Sequence, residues 1–258
     1  MFNKTNKSLF CRAWRRLIFA YLAAFFISFA VGVFLIEILN IAPEAIFEFS
    51  TKRISYVFPV FEAGAGFGID LGIILFFWNS LASLVTISFL YTAALFNSRD
   101  ILLSPRFLRK GFCGRKRMKL LCFLPGCIAI EDESIRRVYV WLMVPWLGMT
   151  LLGLESGLTA STSAVVFGSY MTGVVALIPH GMVEIPTVSF AGAVTFSMHI
   201  AIREKLMAKS PVEIFKYIET FKAEVPLKQI VFIVLFFLFI AGLVEAHLTP
   251  KILTALTG

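Results

Sequence analysis

Leu17 to Leu39 is an apolar run of 23 residues, interrupted only by small polar side chains and Glu37. As a helix rising ~1.5 Å per residue it is about 34 Å long, enough to cross the hydrocarbon core of a bilayer. Further apolar runs follow at Phe67–Phe96, Val138–Gly157, Ala164–Ile178, Met182–Ile202 and Gln229–Val244. The composition agrees: 59% of residues are hydrophobic and 16% charged, where a soluble domain carries roughly a quarter charged. The mean hydropathy is +0.85. The expected fold class is all-α, a polytopic transmembrane helical bundle, and residues 1–258 are expected to form a single multi-pass membrane domain. A signal peptide has a shorter apolar core and a small-residue cleavage site, so Leu17–Leu39 is read as an uncleaved first span.

The net charge of +8 does not point to nucleic acid, because the cations fall in blocks beside the apolar runs rather than on a polar face. Five lie in residues 1–16, ten in Asn97–Arg137 and six in Arg203–Lys228. All three blocks are expected in the cytoplasm by the positive-inside rule, with the N-terminus inside and the localisation the cell membrane. Residues 97–137 are then a basic cytoplasmic loop, and Arg115–Lys119 would attract anionic lipid headgroups. Residues 203–228 read as an amphipathic interfacial segment: Val212, Phe215, Ile218, Phe221 and Val225 recur at helical steps behind a capped start at Ser210-Pro211. Cys11, Cys113, Cys122 and Cys127 fall in these same segments, so reduced thiols are expected. Their spacing is not that of a structural zinc site.

Val138–Ile202 must cross an even number of times to keep its basic flanks on one side, yet it holds three apolar pieces. The middle piece, Ala164–Ile178, is short and runs into Pro179. It is expected to enter and leave on the outer side as a re-entrant half-helix, giving five spans in all. Six full spans are the alternative. Gly64, Gly68 and Gly72 form a tandem GxxxG that would let helices approach closely, within one chain or across a homodimer seam. Asn79 is read as a break between an interfacial lead-in and the second crossing.

Pro179-His180-Gly181 and Glu184 with Pro186 put an imidazole and a carboxylate on one helical face inside an apolar region. Ionisable groups are costly there and need a partner or a purpose. Two readings stand. In the first, the pair satisfies backbone groups released by the two prolines. In the second, His180 and Glu184 form a proton or metal site, completed by Glu155, Glu245 or His199. The first is preferred, so no cofactor and no metal are expected, with His180 and Glu184 the candidate ligands otherwise. Glu37, Glu245 and His199 are read as interfacial, and His247 as paired locally with Glu245.

Pro179-His180-Gly181 with Glu184 and Pro186, together with the final-span ending Gly242-Leu243-Val244-Glu245-Ala246-His247-Leu248-Thr249-Pro250, resembles the stage II sporulation protein M family of integral membrane proteins. Asn79 matches an Asn early in that family's second span. The resemblance covers mainly the last 90 residues or so. The long basic connection at Asn97–Arg137 departs from the family's short one. The sporulating member anchors peptidoglycan-degrading partners during engulfment, so the resemblance implies a membrane scaffold that positions partner proteins, with cell-envelope remodelling as the context. The alternative is a permease or channel lined by the PHGxxE segment, as transporter sites are built on interrupted spans. With no HExxH, phosphate loop or serine-hydrolase elbow, the chain is not read as an enzyme.

Overall fold

The computed structural model describes residues 4–96, 127, 130, 132–206 and 209–257 of the chain. Most of the basic loop 97–137 lies outside them, including Cys113, Cys122, Arg115–Lys119 and most of Leu120–Ile130. Among the described residues every regular element is helical. They run α1 (Lys4–Glu37), α2 (Pro43–Ser55), α3 (Phe58–Gly66), α4 (Leu71–Thr92), a tight turn (Ala93–Phe96), α5 (Glu133–Trp141) and α6 (Val144–Ser161). Then come α7 (Ser163–Phe167), α8 (Tyr170–Ala201), α9 (Pro211–Glu224), α10 (Leu227–Leu243) and α11 (Thr249–Thr257), with wide π turns at Ile202–Leu206 and Val244–Leu248. Among the described residues five helical stretches are long and apolar enough to cross a membrane: Asn6–Glu37, Leu71–Thr92, Glu133–Val165, Tyr170–Glu204 and Leu227–Leu256. The protein is a multi-pass membrane protein with a helical bundle fold.

Among the described residues five such stretches agree with the expected five spans, but the re-entrant half-helix does not form as expected. α8 runs unbroken from Tyr170 to Ala201 through both Pro179 and Pro186. The start of the expected half-helix forms the short α7, and Gly168, at φ 70°, turns the chain into α8. Pro costs a helix one hydrogen bond and a clash. The helix nevertheless continues, although Ile178 and Met182 on either side of Pro179 are exposed; its fully enclosed part lies further on, where every α8 side chain from Ala191 to Ala201 is buried. α8 packs on α1, α4, α6 and α10. A Cβ at Gly192 would touch Leu17, Pro145 and Thr86 at once. The Thr195 hydroxyl donates to the Thr86 carbonyl at 2.7 Å.

The closest packing in the bundle joins α1 to α6. Gly153 and Gly157 sit against the Tyr21 and Phe25 carbonyls, and Ser161 sits against Gly32. Ser28, facing Gly157, donates to the Phe25 carbonyl at 3.1 Å. Small residues four apart on both helices let the backbones meet. A second such crossing pairs Gly72 of α4 with Gly242 of α10. The tandem GxxxG is therefore not one helical face. Gly64 ends near Ile74, Gly68 turns at φ 74° between α3 and α4, and only Gly72 makes a close crossing. Asn79 lies within α4 and marks no break. The outward faces of the spans carry Phe19, Phe26, Phe77, Trp78, Phe232 and Phe236, as suits contact with lipid.

The described parts of the three basic blocks meet at one end of the bundle. Asn6 donates to Glu224 at 2.6 Å, and Arg12 and Arg16 reach Glu204 at 2.8 and 3.4 Å. α9 lays Ile214, Phe215, Ile218 and Phe221 against α5 and the Ala93–Phe96 turn, so its apolar face is closed by protein, while Val212 is 74% exposed. Cys127 is buried and disulfide-bonded, not the reduced thiol expected of a cytoplasmic segment.

Substituting Gly157 by Leu forces α1 and α6 apart. It is expected to destabilise the protein by about 1–3 kcal/mol or more, read as a lowered thermal midpoint in detergent, whereas Gly148→Ala, in open space, leaves the midpoint unchanged. A second expectation concerns pH. Hydrogen bonds from the Ser210 backbone and side chain hold the Glu213 carboxyl below the usual carboxylate range. A depressed folded-state value contributes stability above the ordinary carboxylate pKa and loses it as pH falls through the depressed one. Thiol labelling of an Ile218→Cys variant should accelerate on acidification through that range, and should be fast at neutral pH when Ser210→Ala removes the cap.

Candidate functional site

Four residues from two segments converge near the end of the bundle opposite the basic blocks. His180 and Glu184 lie four apart on α8, so their side chains share a face. Glu245 comes from the π turn that follows α10. One ligand-type atom from each of His180, Glu184 and Glu245 falls within 4.8 Å of the others, and all three residues are half-buried. Thr249, the first residue of α11, places its hydroxyl 3.3 Å from His180 Nδ1 and donates to the Val244 carbonyl at 3.5 Å. The extra residue in a π turn rotates the helix beyond it, and such turns recur at functional sites. Here it carries Glu245 and leads directly into Thr249.

The location explains why these side chains matter. Glu184 and Glu245 make no hydrogen bond or ion pair among the described residues. Two carboxylates this close repel one another, and excess negative charge at membrane depth calls for a cation, a proton or water. His180 reaches across to Thr249 and not to a carbonyl released by a proline, so it ties α8 to the end of the last span. The arrangement could hold a cation or share a proton.

Other candidate residues lie elsewhere. Glu155 belongs to a separate pair, with Arg53 of α2 at 2.5 Å. His247 pairs with Asp70, the N-cap of α4, at 3.1 Å and not with Glu245. His199 is not interfacial: it is 5% exposed, its Nδ1 lies 3.0 Å from the Tyr139 carbonyl, and its ring stacks on Phe196 with Tyr139 beside it. Glu37, exposed at the end of α1, accepts from the Tyr170 hydroxyl. Pro186 gives its carbonyl to the Trp14 indole at 2.8 Å. A Cβ at Gly181 would meet nothing within 4 Å, so close helix approach does not account for that glycine. Pro250 follows Thr249 on the exposed side of α11.

Sequence reasoning missed Arg53, Asp70 and Tyr170 as partners. The pairs are separated by 102, 177 and 133 residues, and no local spacing marks them. A double-mutant cycle with Arg53→Met and Glu155→Gln is expected to give a coupling of about 1 kcal/mol in unfolding free energy, since Arg53 is half exposed. A coupling near zero would show that the pair does not hold α2 to α6.

A family model described as "Stage II sporulation protein M" matches residues 115–250, just over half of the chain. That range contains α5 to α10 and all four residues of the cluster. No curated protein and no solved structure matches the chain.

Proposed function

From the chain's membership of the stage II sporulation protein M family, we propose that it is a membrane scaffold without enzymatic activity, which positions partner proteins at the cell membrane. The observation that carries this reading is the gathering of the described basic segments into one platform, where the start of α1, Glu204 and α9 are joined by Asn6–Glu224 and Arg12–Glu204. The outward side of that platform presents Val212, Glu213, Lys216 and Glu219, a mixed polar and apolar face that suits a protein partner. At the other end, α2, α3 and the turns that follow them carry Phe49, Tyr56, Phe58 and Phe67 outward, an aromatic belt suited to the lipid interface. The lipid bilayer and its anionic headgroups are the remaining contacts of the chain in this reading.

The excess of cations argues for a platform in the cytoplasm, with the N-terminus inside and the C-terminus outside. The disulfide at Cys127 argues the other way, because thiols in the cytosol are kept reduced. We weight the charge bias more heavily, since it is carried by three separate blocks. A permease reading draws support from the His180–Glu184–Glu245 cluster inside the spans. Cation flux into proteoliposomes that Glu184→Gln abolishes would favour it.

A photo-cross-linking residue at Val212 or Lys216 is expected to give discrete protein adducts in living cells, unchanged by Glu184→Gln. The same residue at lipid-facing Phe232 is expected to give none. A membrane-impermeant thiol reagent should label a Glu48→Cys variant in intact cells and spare Lys216→Cys. The scaffold reading fails if α9 yields no protein adduct, and the orientation fails if Lys216→Cys is labelled.

A further inference from the structure

We propose that His180, Glu184 and Glu245 bind a divalent first-row transition-metal cation, with Zn2+ the best match, and that Thr249 orients the imidazole for it. The inference does not depend on the scaffold reading. The donor set is one imidazole and two carboxylates, each a zinc ligand, and three protein ligands leave a fourth position open for water. An imidazole disfavours Mg2+ and Ca2+, which take oxygen donors and more of them.

Three independent features support a bound cation. The three ligand-type atoms already lie within 4.8 Å of one another, so small side-chain rotations would bring all of them to one ion at ordinary zinc distances of about 2.0–2.2 Å. Among the described residues neither carboxylate makes a hydrogen bond or an ion pair, and no Lys or Arg is paired with either. Arg53 pairs with Glu155 and His247 with Asp70, not with the cluster. Lastly, the Thr249 hydroxyl stands beside His180 Nδ1, the outer-shell contact that sets ring orientation in metal sites. Two ligands on α8 and one after α10 would make the ion a cross-link between the buried central span and the last one.

The test uses the full-length protein in detergent, stripped with a chelator and titrated with Zn2+. Bound metal is measured by elemental analysis and stability by the thermal midpoint. Wild type is expected to take up about one Zn2+ per chain and to melt higher with it. Glu184→Gln and Glu245→Gln should each weaken binding by at least tenfold, and Thr249→Val by about 10–100-fold. His247→Ala should bind as wild type does. The proposal is overturned if wild type takes up no stoichiometric zinc at micromolar concentrations, or if the two Gln variants bind as wild type does. Should those variants fail to fold, Co2+ added to wild type decides: absorption bands of a four-coordinate site, displaced by one equivalent of Zn2+, support the site, and their absence overturns it.

Discussion

The second half of α8 has no side on which to meet lipid, and the rest of the bundle is arranged to satisfy that condition. A helix buried on every face needs neighbours on every face. α1, α4, α6 and α10 supply them. In lipid the hydrophobic effect does not drive helices together, so close fit and interhelical hydrogen bonds must. That accounts for the small residues on this helix between Ser189 and Ser197, for the Thr195 bond to the Thr86 carbonyl, and for the seating of Pro145 beside Gly192.

Much of this was legible in the residues. Long apolar runs and basic blocks gave the helical bundle and the five crossings, because lipid solvation and charge bias act on each segment locally. The PHGxxE face and the Glu245–Thr249 ending were legible as special, and the fold brings them together. What the chain did not disclose was pairing between distant segments. Arg53 and Glu155 carry no periodic signal, and neither do Asp70 and His247. The expected re-entrant hairpin failed for a related reason. A proline with a glycine two residues on reads as a break, yet the helix runs through it. The same limit hid the fate of the glycines at 64, 68 and 72, whose even spacing suggested one face although a turn separates them.

His199 shows how position along the sequence can mislead. One turn before a basic segment, it looked like a residue for the interface. The fold buries it between Tyr139 and Phe196, where its one backbone contact and its stacking meet the needs of a polar ring. Its location is governed by α5, which folds back over that end of α8. α9 in turn packs on α5 and the Ala93–Phe96 turn, so the basic end of the bundle has a packed core of its own and is not merely a set of loops.

The π turn at Val244–Leu248 has a further consequence for how the last span should be read. One surplus residue in a helix shifts everything after it by about 100° around the axis. α10 shows phenylalanines to the outside, whereas α11 returns to touch α8. A helical wheel drawn without interruption from residue 227 to 257 would therefore assign the wrong residues to the wrong surroundings beyond position 248. Deleting a single amino acid there would keep every side chain chemically intact, yet turn Thr249 away from the imidazole it now faces. In this segment, the number of residues carries as much information as their identity.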